Sequence, residues 1–532
     1  MKVGVMRLPS LQLVSLMLVA AVLAAAEGVS AGGFVAPDEV ELWRGGGGEE
    51  EDDIGVWEGG GGNDVVEEEE EVEAWGRGDG EEDEEWEEWE EEEEEKDFSM
   101  NWRSSQGRGR MPVNVETFGA VGDGVTDDTQ AFLDAWNKSC SLSNAVFLVP
   151  SGRRYLVRAV RFRGPCQDNL IIQIGGTIVA PEEPKDWDPK NPKTWLYFSK
   201  LSGVRFQGDG VIDGSGSKWW ASSCKINKTN VRPIRSLSLT VSSTMQRSSY
   251  GRSCGWVVQA LTIDSSIGVR VKRLRLQNSQ QIHFTVSRSD AVRVSEMQVL
   301  APRDSPNTDG IHISESTNVV IQRSKIQTGD DCISIVNASA NIKMKNIDCG
   351  PGHGISIGSL GKDNSTAVVT GIVLDTAVLR ETTNGVRIKT WQGGSGFVRS
   401  VRFQNVRMLN VENPIIIDQF YCDSPTTCKN QTSAVKVSQV LYRNISGTSK
   451  TPRAMKFACS DTVPCNNIVL HNVNLRVENG TAVTFCNCAM GFDVGVVQPA
   501  ADCLKSDSSR CSDGTKGGSQ DEDRTSWVHT EL

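Results

Sequence analysis

Four short phrases return along the chain at near-constant spacing. Asp309-Gly-Ile-His-Ile313, Asp331-Cys-Ile-Ser-Ile335, His353-Gly-Ile-Ser-Ile357 and Asn384-Gly-Val-Arg-Ile388 succeed one another after 22, 22 and 31 residues, and Asn413-Pro-Ile-Ile-Ile417 follows 29 residues later. Further alternating runs, Asn318-Val-Val-Ile-Gln and Asn341-Ile-Lys-Met-Lys, lie between the first three, so each period holds more than one strand. A repeat of this size cannot bury its apolar face alone, and stacking repeats on one another does so. The expected fold is therefore all-β, a parallel β-helix solenoid. A β-sandwich also contains many short strands, but it does not require the same slots to recur at a near-constant period. Period-two alternation sends Ile311, Ile313, Ile333, Ile335, Ile355, Ile357, Val386 and Ile388 inward. It sends His312, Ser334, Ser356, Arg387 and Lys389 outward, onto what is expected to be one exposed sheet. Helical spacing of Ala131, Phe132 and Ala135 predicts a short capping helix over Thr129 to Ser139.

The net charge of −14 conceals an asymmetry. Residues 38–97 hold 31 acidic and 3 basic residues; with residues 1–37 at +1, residues 98–532 carry +13. The folding part is basic, which points to a polyanionic partner. The 38% hydrophobic content of the whole chain excludes a wholly disordered protein. The long apolar run is N-terminal, which excludes a polytopic membrane protein. Lys2 and Arg7 precede the run Leu11 to Ala26, and Ala24 and Ala26 form a small-residue cleavage pattern, so residues 1–26 read as a secretory signal peptide, with a signal anchor as the alternative. Fourteen cysteines, an even number in an exported chain without zinc-finger spacing, favour disulfides, and no metal or cofactor is expected. Seven N-x-S/T sequons, at Asn137, Asn227, Asn337, Asn364, Asn430, Asn444 and Asn479, agree with a glycosylating route. Residues 27–110 read as an acidic Gly/Glu-rich disordered linker or pro-segment. A sharper alternative, prompted by Trp43, Trp57, Trp75, Trp86 and Trp89, has this tract folding back over a basic groove. Residues 111–505 form the expected β-helix domain and residues 506–532 a disordered tail.

Coils of a solenoid lie about 4.8 Å apart, so equal slots place Asp309, Asp331 and His353 side by side. Asn384 comes next, Asp330 adjoins Asp331, and Arg387 and Lys389 stand just beyond. Carboxylates this close cannot all ionise cheaply, so at least one pKa should rise and supply a general acid beside a general base. Paired carboxylates acting on a sugar bond follow the glycosidase pattern. Asp and Asn also terminate strands in glycine-rich turns. That reading suits a single Asp better than three carboxylates, a His, an Arg and a Lys in register.

Asn307-Thr308-Asp309-Gly310, Gly329-Asp330-Asp331, Gly352-His353-Gly354 and Arg387-Ile388-Lys389 resemble, in order and approximate spacing, the four signature motifs of the polygalacturonases, glycoside hydrolase family 28. Ser305-Pro306-Asn307, Cys349 to Gly358 and Thr390-Trp391-Gln392-Gly393-Gly394 look like the plant members. The likeness covers roughly residues 113 to 505 and includes Phe118 to Gly124. It implies a right-handed parallel β-helix that hydrolyses α-1,4-linked galacturonan with inversion. By the resemblance, Asp330 matches the acid, Asp309 and Asp331 match the pair that activates water, and His353 supports the acid. Arg387 and Lys389 match the grip on the substrate carboxylate, suited by the planar fork of one and the compact charge of the other. Asn307 and Tyr421 occupy further cleft positions. Pairings Cys332–Cys349, Cys422–Cys428 and Cys459–Cys465 are compatible with it. The implied partner is pectin in the cell wall or apoplast, with no nucleic acid, no membrane once the signal is removed, and a monomeric state.

One region departs from the family pattern. Val231 to about Gln259 is a Ser- and Arg-rich insertion, read either as a loop over the cleft or as a translated intron, and it leaves the partners of Cys224 and Cys254 open. Three other functions remain: a pectate lyase using calcium on an Asp cluster, a hydrolase of rhamnogalacturonan or xylogalacturonan, and a pectin-binding wall protein without activity. The second adjacent Asp and the His favour hydrolysis over elimination, no carboxylate is missing, and the Arg-Ile-Lys grip favours homogalacturonan.

Overall fold

The computed structural model describes residues 109–187, 193–223, 225–226, 258–423, 428–505 and 511. The signal-peptide reading, the acidic tract up to residue 108, nearly all of the 231–259 insertion, Cys224, Cys254 and the tail apart from Cys511 lie outside them.

Runs of alternating Ile and Val, broken every few residues by Asn, Gly or Ser, make strands too short to stand alone. Each finds its partners in the coils before and after, and every strand-to-strand pairing is parallel. The chain winds as a right-handed parallel β-helix, the hand that right-twisted strands impose on parallel crossovers. One face is an eleven-stranded sheet. In chain order its strands are β1 (Val160–Arg163), β2 (Thr194–Ser199), β3 (Gln259–Asp264), β4 (Phe284–Ser287), β5 (Ile311–Ser314), β6 (Ile333–Ile335), β7 (Ile355–Leu360), β8 (Asn384–Trp391), β9 (Asn413–Tyr421), β10 (Arg453–Ala458) and β11 (Val483–Asn487). The remaining strands form a nineteen-stranded sheet bent over a corner, so that Thr317–Gln327, Ser339–Cys349 and Thr366–Arg380 each contribute to two faces. At that corner one residue per coil takes the left-handed backbone conformation: Arg323, Asn346, Thr376, Asn405, Asn444 and Asn472, with φ between 47° and 57°. They fall in register, because the residues flanking them pair coil to coil. One such residue turns the chain while its neighbours stay in the ladder, and Asn tolerates the conformation better than most.

Inside, the expected aliphatic rows are present: Ile313, Ile335, Ile357, Ile388 and Ile417 stack in register, each at most 1% exposed. The capping helix α1 (Thr129–Cys140) runs one residue past its expected end and buries Ala131, Phe132, Ala135 and Trp136. Trp136 packs on Phe147, Phe162 and Phe198, closing the N-terminal end of the core with aromatic rings. The Asp128 carboxylate before the helix accepts the amides of Val121 and Gly122, which fixes the Phe118 to Gly124 phrase.

The three pairings Cys332–Cys349, Cys422–Cys428 and Cys459–Cys465 are formed, and Cys140–Cys166 and Cys486–Cys503 add two more. The six sequon asparagines among the described residues are all exposed. No helix among the described residues is long and apolar enough to cross a membrane.

One expectation fails: the outward row is not an exposed sheet. Ser334, Ser356, Arg387 and Lys389 are each less than 9% exposed. The reason is electrostatic, since Arg387 reaches past Ser356 to Asp331, Lys389 pairs with the same carboxylate, and Ser334 is drawn onto Asp309.

The corner row yields a stability test. Asn346→Gly should be close to neutral. Asn346→Val should lose about 1–2 kcal/mol in chemical denaturation, because a β-branched residue is disfavoured in the left-handed region.

Candidate active site

The site begins with glycine. In the slot after each functional residue stand Gly310, Cys332, Gly354 and Gly385. A Cβ added to Gly310 would lie 2.5 Å from the Cys332 carbonyl oxygen, one on Gly354 2.1 Å from that of Asn384, and one on Gly385 2.1 Å from that of Pro414. The Asp-Gly, His-Gly and Asn-Gly pairs therefore mark where successive coils approach too closely for a side chain. Cys332 spends its side chain inward, on the bridge to Cys349.

This close stacking brings the expected residues together on the outer face of β5 to β8. Asp331 is buried at the centre. Its Oδ1 accepts hydrogen bonds from Ser356 Oγ at 2.7 Å and Arg387 Nη2 at 3.0 Å, and its Oδ2 accepts one from Lys389 Nζ at 3.0 Å. Arg387 Nε also donates to Ser356 Oγ at 3.1 Å. Asp330 turns the other way. Its Oδ1 accepts the Asp331 amide at 2.8 Å and lies 3.1 Å from His353 Nδ1, and its Oδ2 accepts from Asn307 Nδ2 at 3.2 Å. Asp309 Oδ2 accepts from Ser334 Oγ at 2.6 Å. Tyr421 completes the wall, with Lys389 Nζ 5.3 Å from its ring centroid and Trp391 packed edge-on against it. Asn384 continues the row in register with Asn413.

The structure thus gathers all eight expected side chains, but it gives three of them partners that the sequence did not suggest. Arg387 and Lys389 both pair with Asp331, and Asn307 contacts Asp330. Three carboxyls and two cations share the patch, so one bound proton leaves it neutral. Asp309 is the group pushed in that direction. Its carboxyl is held well above the usual carboxylate range by the protein that encloses it, then by Asp330 and Asp331, against the pull of Ser334 and Lys389. The residue as a whole keeps some solvent contact, but its acid group lies at the bottom of the patch.

Sequence reasoning missed His283. Its ring Nδ1 lies 3.0 Å from the Asp309 carbonyl oxygen and its amide donates to the same oxygen at 2.9 Å, so it fixes the backbone that carries the acid. Burial pushes its pKa down to about 4, which keeps the ring neutral. It stands in a coil whose phrase does not repeat the others, so no slot comparison exposes it. The serine contacts were accessible: Ser334 reaches Asp309, and Ser356 reaches Asp331, each across 25 residues, which is the repeat carried one coil forward. Among the described residues no group of three or more His, Cys, Asp or Glu could hold a metal ion.

Residues 140–493 match the family described as Glycosyl hydrolases family 28. The chain is 44% identical over 419 residues to a probable polygalacturonase of Arabidopsis thaliana, covering 78% of this chain and 89% of that protein. It is 44% identical over 392 residues to a polygalacturonase of Juniperus ashei, covering 74% of this chain and 73% of that one. Among solved structures, the endo-xylogalacturonan hydrolase of Aspergillus tubingensis superposes with a TM-score of 0.57 at 22% identity, covering 71% of this chain and 95% of that one, a likeness of fold.

A raised carboxyl pKa works against stability at neutral pH. The folded state holds the Asp309 proton after the unfolded chain, near its ordinary value of 3.8, has released it, so stability falls as pH rises from there through the folded pKa. Asp309→Asn, which mimics the protonated form, should therefore melt at a higher temperature than the native protein at pH 7, with the gap closing toward pH 3. Thermal melts across that range check the sign.

Proposed function

Because this chain belongs to glycosyl hydrolases family 28, we propose that it is a polygalacturonase: a secreted, monomeric hydrolase that cleaves α-1,4-galacturonosyl linkages of pectin in the plant cell wall with inversion. The observation that carries this reading is the Asp331 carboxylate held between Arg387 and Lys389, with Asp309 and Asp330 on either side. An acid, a water-activating pair and two cations suited to a uronate carboxylate occupy one wall of an otherwise basic domain.

In this reading Asp330 gives its proton to the glycosidic oxygen as the bond from that oxygen to the anomeric carbon breaks. Asp309 and Asp331 hold a water on the opposite face. Its oxygen bonds the anomeric carbon and its proton passes to the carboxylate pair, so configuration inverts. His353, with Nδ1 3.1 Å from Asp330 Oδ1, supports the protonation state and geometry of that acid. Arg387 and Lys389 carry more donors than one carboxylate accepts, so they serve both Asp331 and the acid group of the incoming sugar. Tyr421 forms the flat floor beside that carboxylate. The basic charge of residues 98–532 draws the polyanion toward the cleft. The N-terminal signal pattern, five disulfides and exposed sequons support an extracellular location.

Purified protein incubated with polygalacturonate should generate new reducing ends, with products sized by chromatography. Asp330→Asn should lose at least about a hundredfold in kcat. A rate unchanged by that substitution removes Asp330 as the acid. An unsaturated product absorbing in the ultraviolet, or loss of activity in chelator, would instead mark a lyase.

A further inference from the structure

We infer that His312 is a positioning residue for the Asp309 carboxylate and acts through the hydroxyl of Ser334. Ser334 Oγ lies 2.6 Å from Asp309 Oδ2 and 2.8 Å from His312 Nδ1. A serine hydroxyl has one hydrogen to give. When Asp309 is ionised that hydrogen goes to the carboxylate, and the imidazole must then donate: His312 carries its proton on Nδ1. When Asp309 takes up a proton, the relay can run backward, from Asp309 O–H to Ser334 and from Ser334 to a bare Nδ1, with the imidazole proton on Nε2. The charge on Asp309 and the tautomer of His312 are two ends of one hydrogen-bond chain.

The next coil shows what is particular to this arrangement. There Ser356 occupies the slot of Ser334 and donates to Asp331 Oδ1 at 2.7 Å, but the donor behind it is the Arg387 guanidinium at 3.1 Å. One member of the water-activating pair thus meets a fixed positive charge, while the other meets a neutral ring that can switch its donor. The ring stays neutral because burial holds its pKa down to about 4, with Asp331 acting to raise it and Lys389 to lower it. The charged groups facing Asp309 are Asp330, Asp331 and Lys389, and His283 touches its carbonyl oxygen rather than its acid group. Since the Ser334 hydrogen bond pulls the Asp309 pKa down, the relay keeps a crowded base available at lower pH than its neighbours would allow.

This inference rests on the polygalacturonase reading for its kinetic consequence, and the test separates the two. The pH dependence of kcat/KM on polygalacturonate is measured for the native protein, Ser334→Ala, His312→Leu, His312→Asn and the Ser334→Ala/His312→Leu pair. Removing the relay should move the acid limb of the profile upward by at least about half a pH unit, the loss of one hydrogen bond to a charged group. KM on the plateau should hold within about twofold, because neither residue grips substrate. The double variant should shift no further than Ser334→Ala alone. His312→Asn, which keeps a donor near the Nδ1 position, should restore the limb. Profiles that fall equally at every pH, or additive losses in the double variant, would overturn the relay. If the native protein releases no reducing ends from polygalacturonate, the functional reading fails, and the relay is still decided by nitrogen NMR of 15N-histidine-labelled protein followed as a function of pH. The signal that vanishes in His312→Asn should report a proton on Nδ1 at high pH, where Asp309 is ionised; a proton that stays on Nε2 up to the alkaline end of the range refutes the inference.

Discussion

Parallel register among β5, β6, β7 and β8 is the constraint on which the chemistry depends. Side chains alternate along a strand, so a slip of one residue would turn Ile333 and Ile335 outward and bury Ser334, with the same exchange in each neighbouring coil. The fully buried isoleucine rows oppose that slip from inside. Glycine opposes it from the turn, because only a residue without a Cβ fits at 310, 354 and 385, where the carbonyl of the next coil approaches. The Cys332–Cys349 bridge adds a covalent tie across 17 residues, starting in the slot beside Asp331. Three unrelated devices enforce one alignment, and that alignment alone sets Asp309, Asp331 and His353 in line.

Once aligned, the patch has to tolerate its own charge. Asp331 is buried, and an isolated buried carboxylate is costly unless paired and hydrogen-bonded. Arg387, Lys389 and Ser356 together supply both conditions. Asp309, enclosed by the protein and pressed by Asp330 and Asp331, answers by holding its proton more tightly. In the proposed reading, the group that destabilises the folded protein is also the one that serves as an adjustable base.

Much of this was legible from spacing. The repeated phrases disclosed the solenoid, the inward rows and the meeting of distant carboxylates, because period and alternation are properties of order alone. Partner choice was less legible. That Arg387 and Lys389 would fold back onto Asp331 depends on the length and direction of two flexible side chains, and no slot comparison reports that. Burial of the outward row followed from the same pairing, so reading it as exposed was an error of one step. His283 was hidden because its coil lacks the phrase, and its function is to hold a backbone oxygen rather than to present a chemical group.

The repeat order also bears on how the site is assembled. Asp331 is separated from Arg387 by 56 residues and from Lys389 by 58, whereas its serine partner is 25 residues away. Coils β5 to β7 therefore hold the three carboxylates, while both cations stand on the next strand, β8. In a solenoid stability is shared mainly between nearest neighbours, so a growing stack that ends at β7 would carry the acid cluster uncompensated. Docking of β8 supplies two cations to Asp331 and contacts Ser356 in the same step. The charge that makes the wall reactive thus also couples coils that do not touch directly, because Asp331 in one coil is satisfied two coils later. A solenoid built only on adjacent apolar contacts would lack that longer link, and it would have no reason to stop fraying at the edge of its own active site.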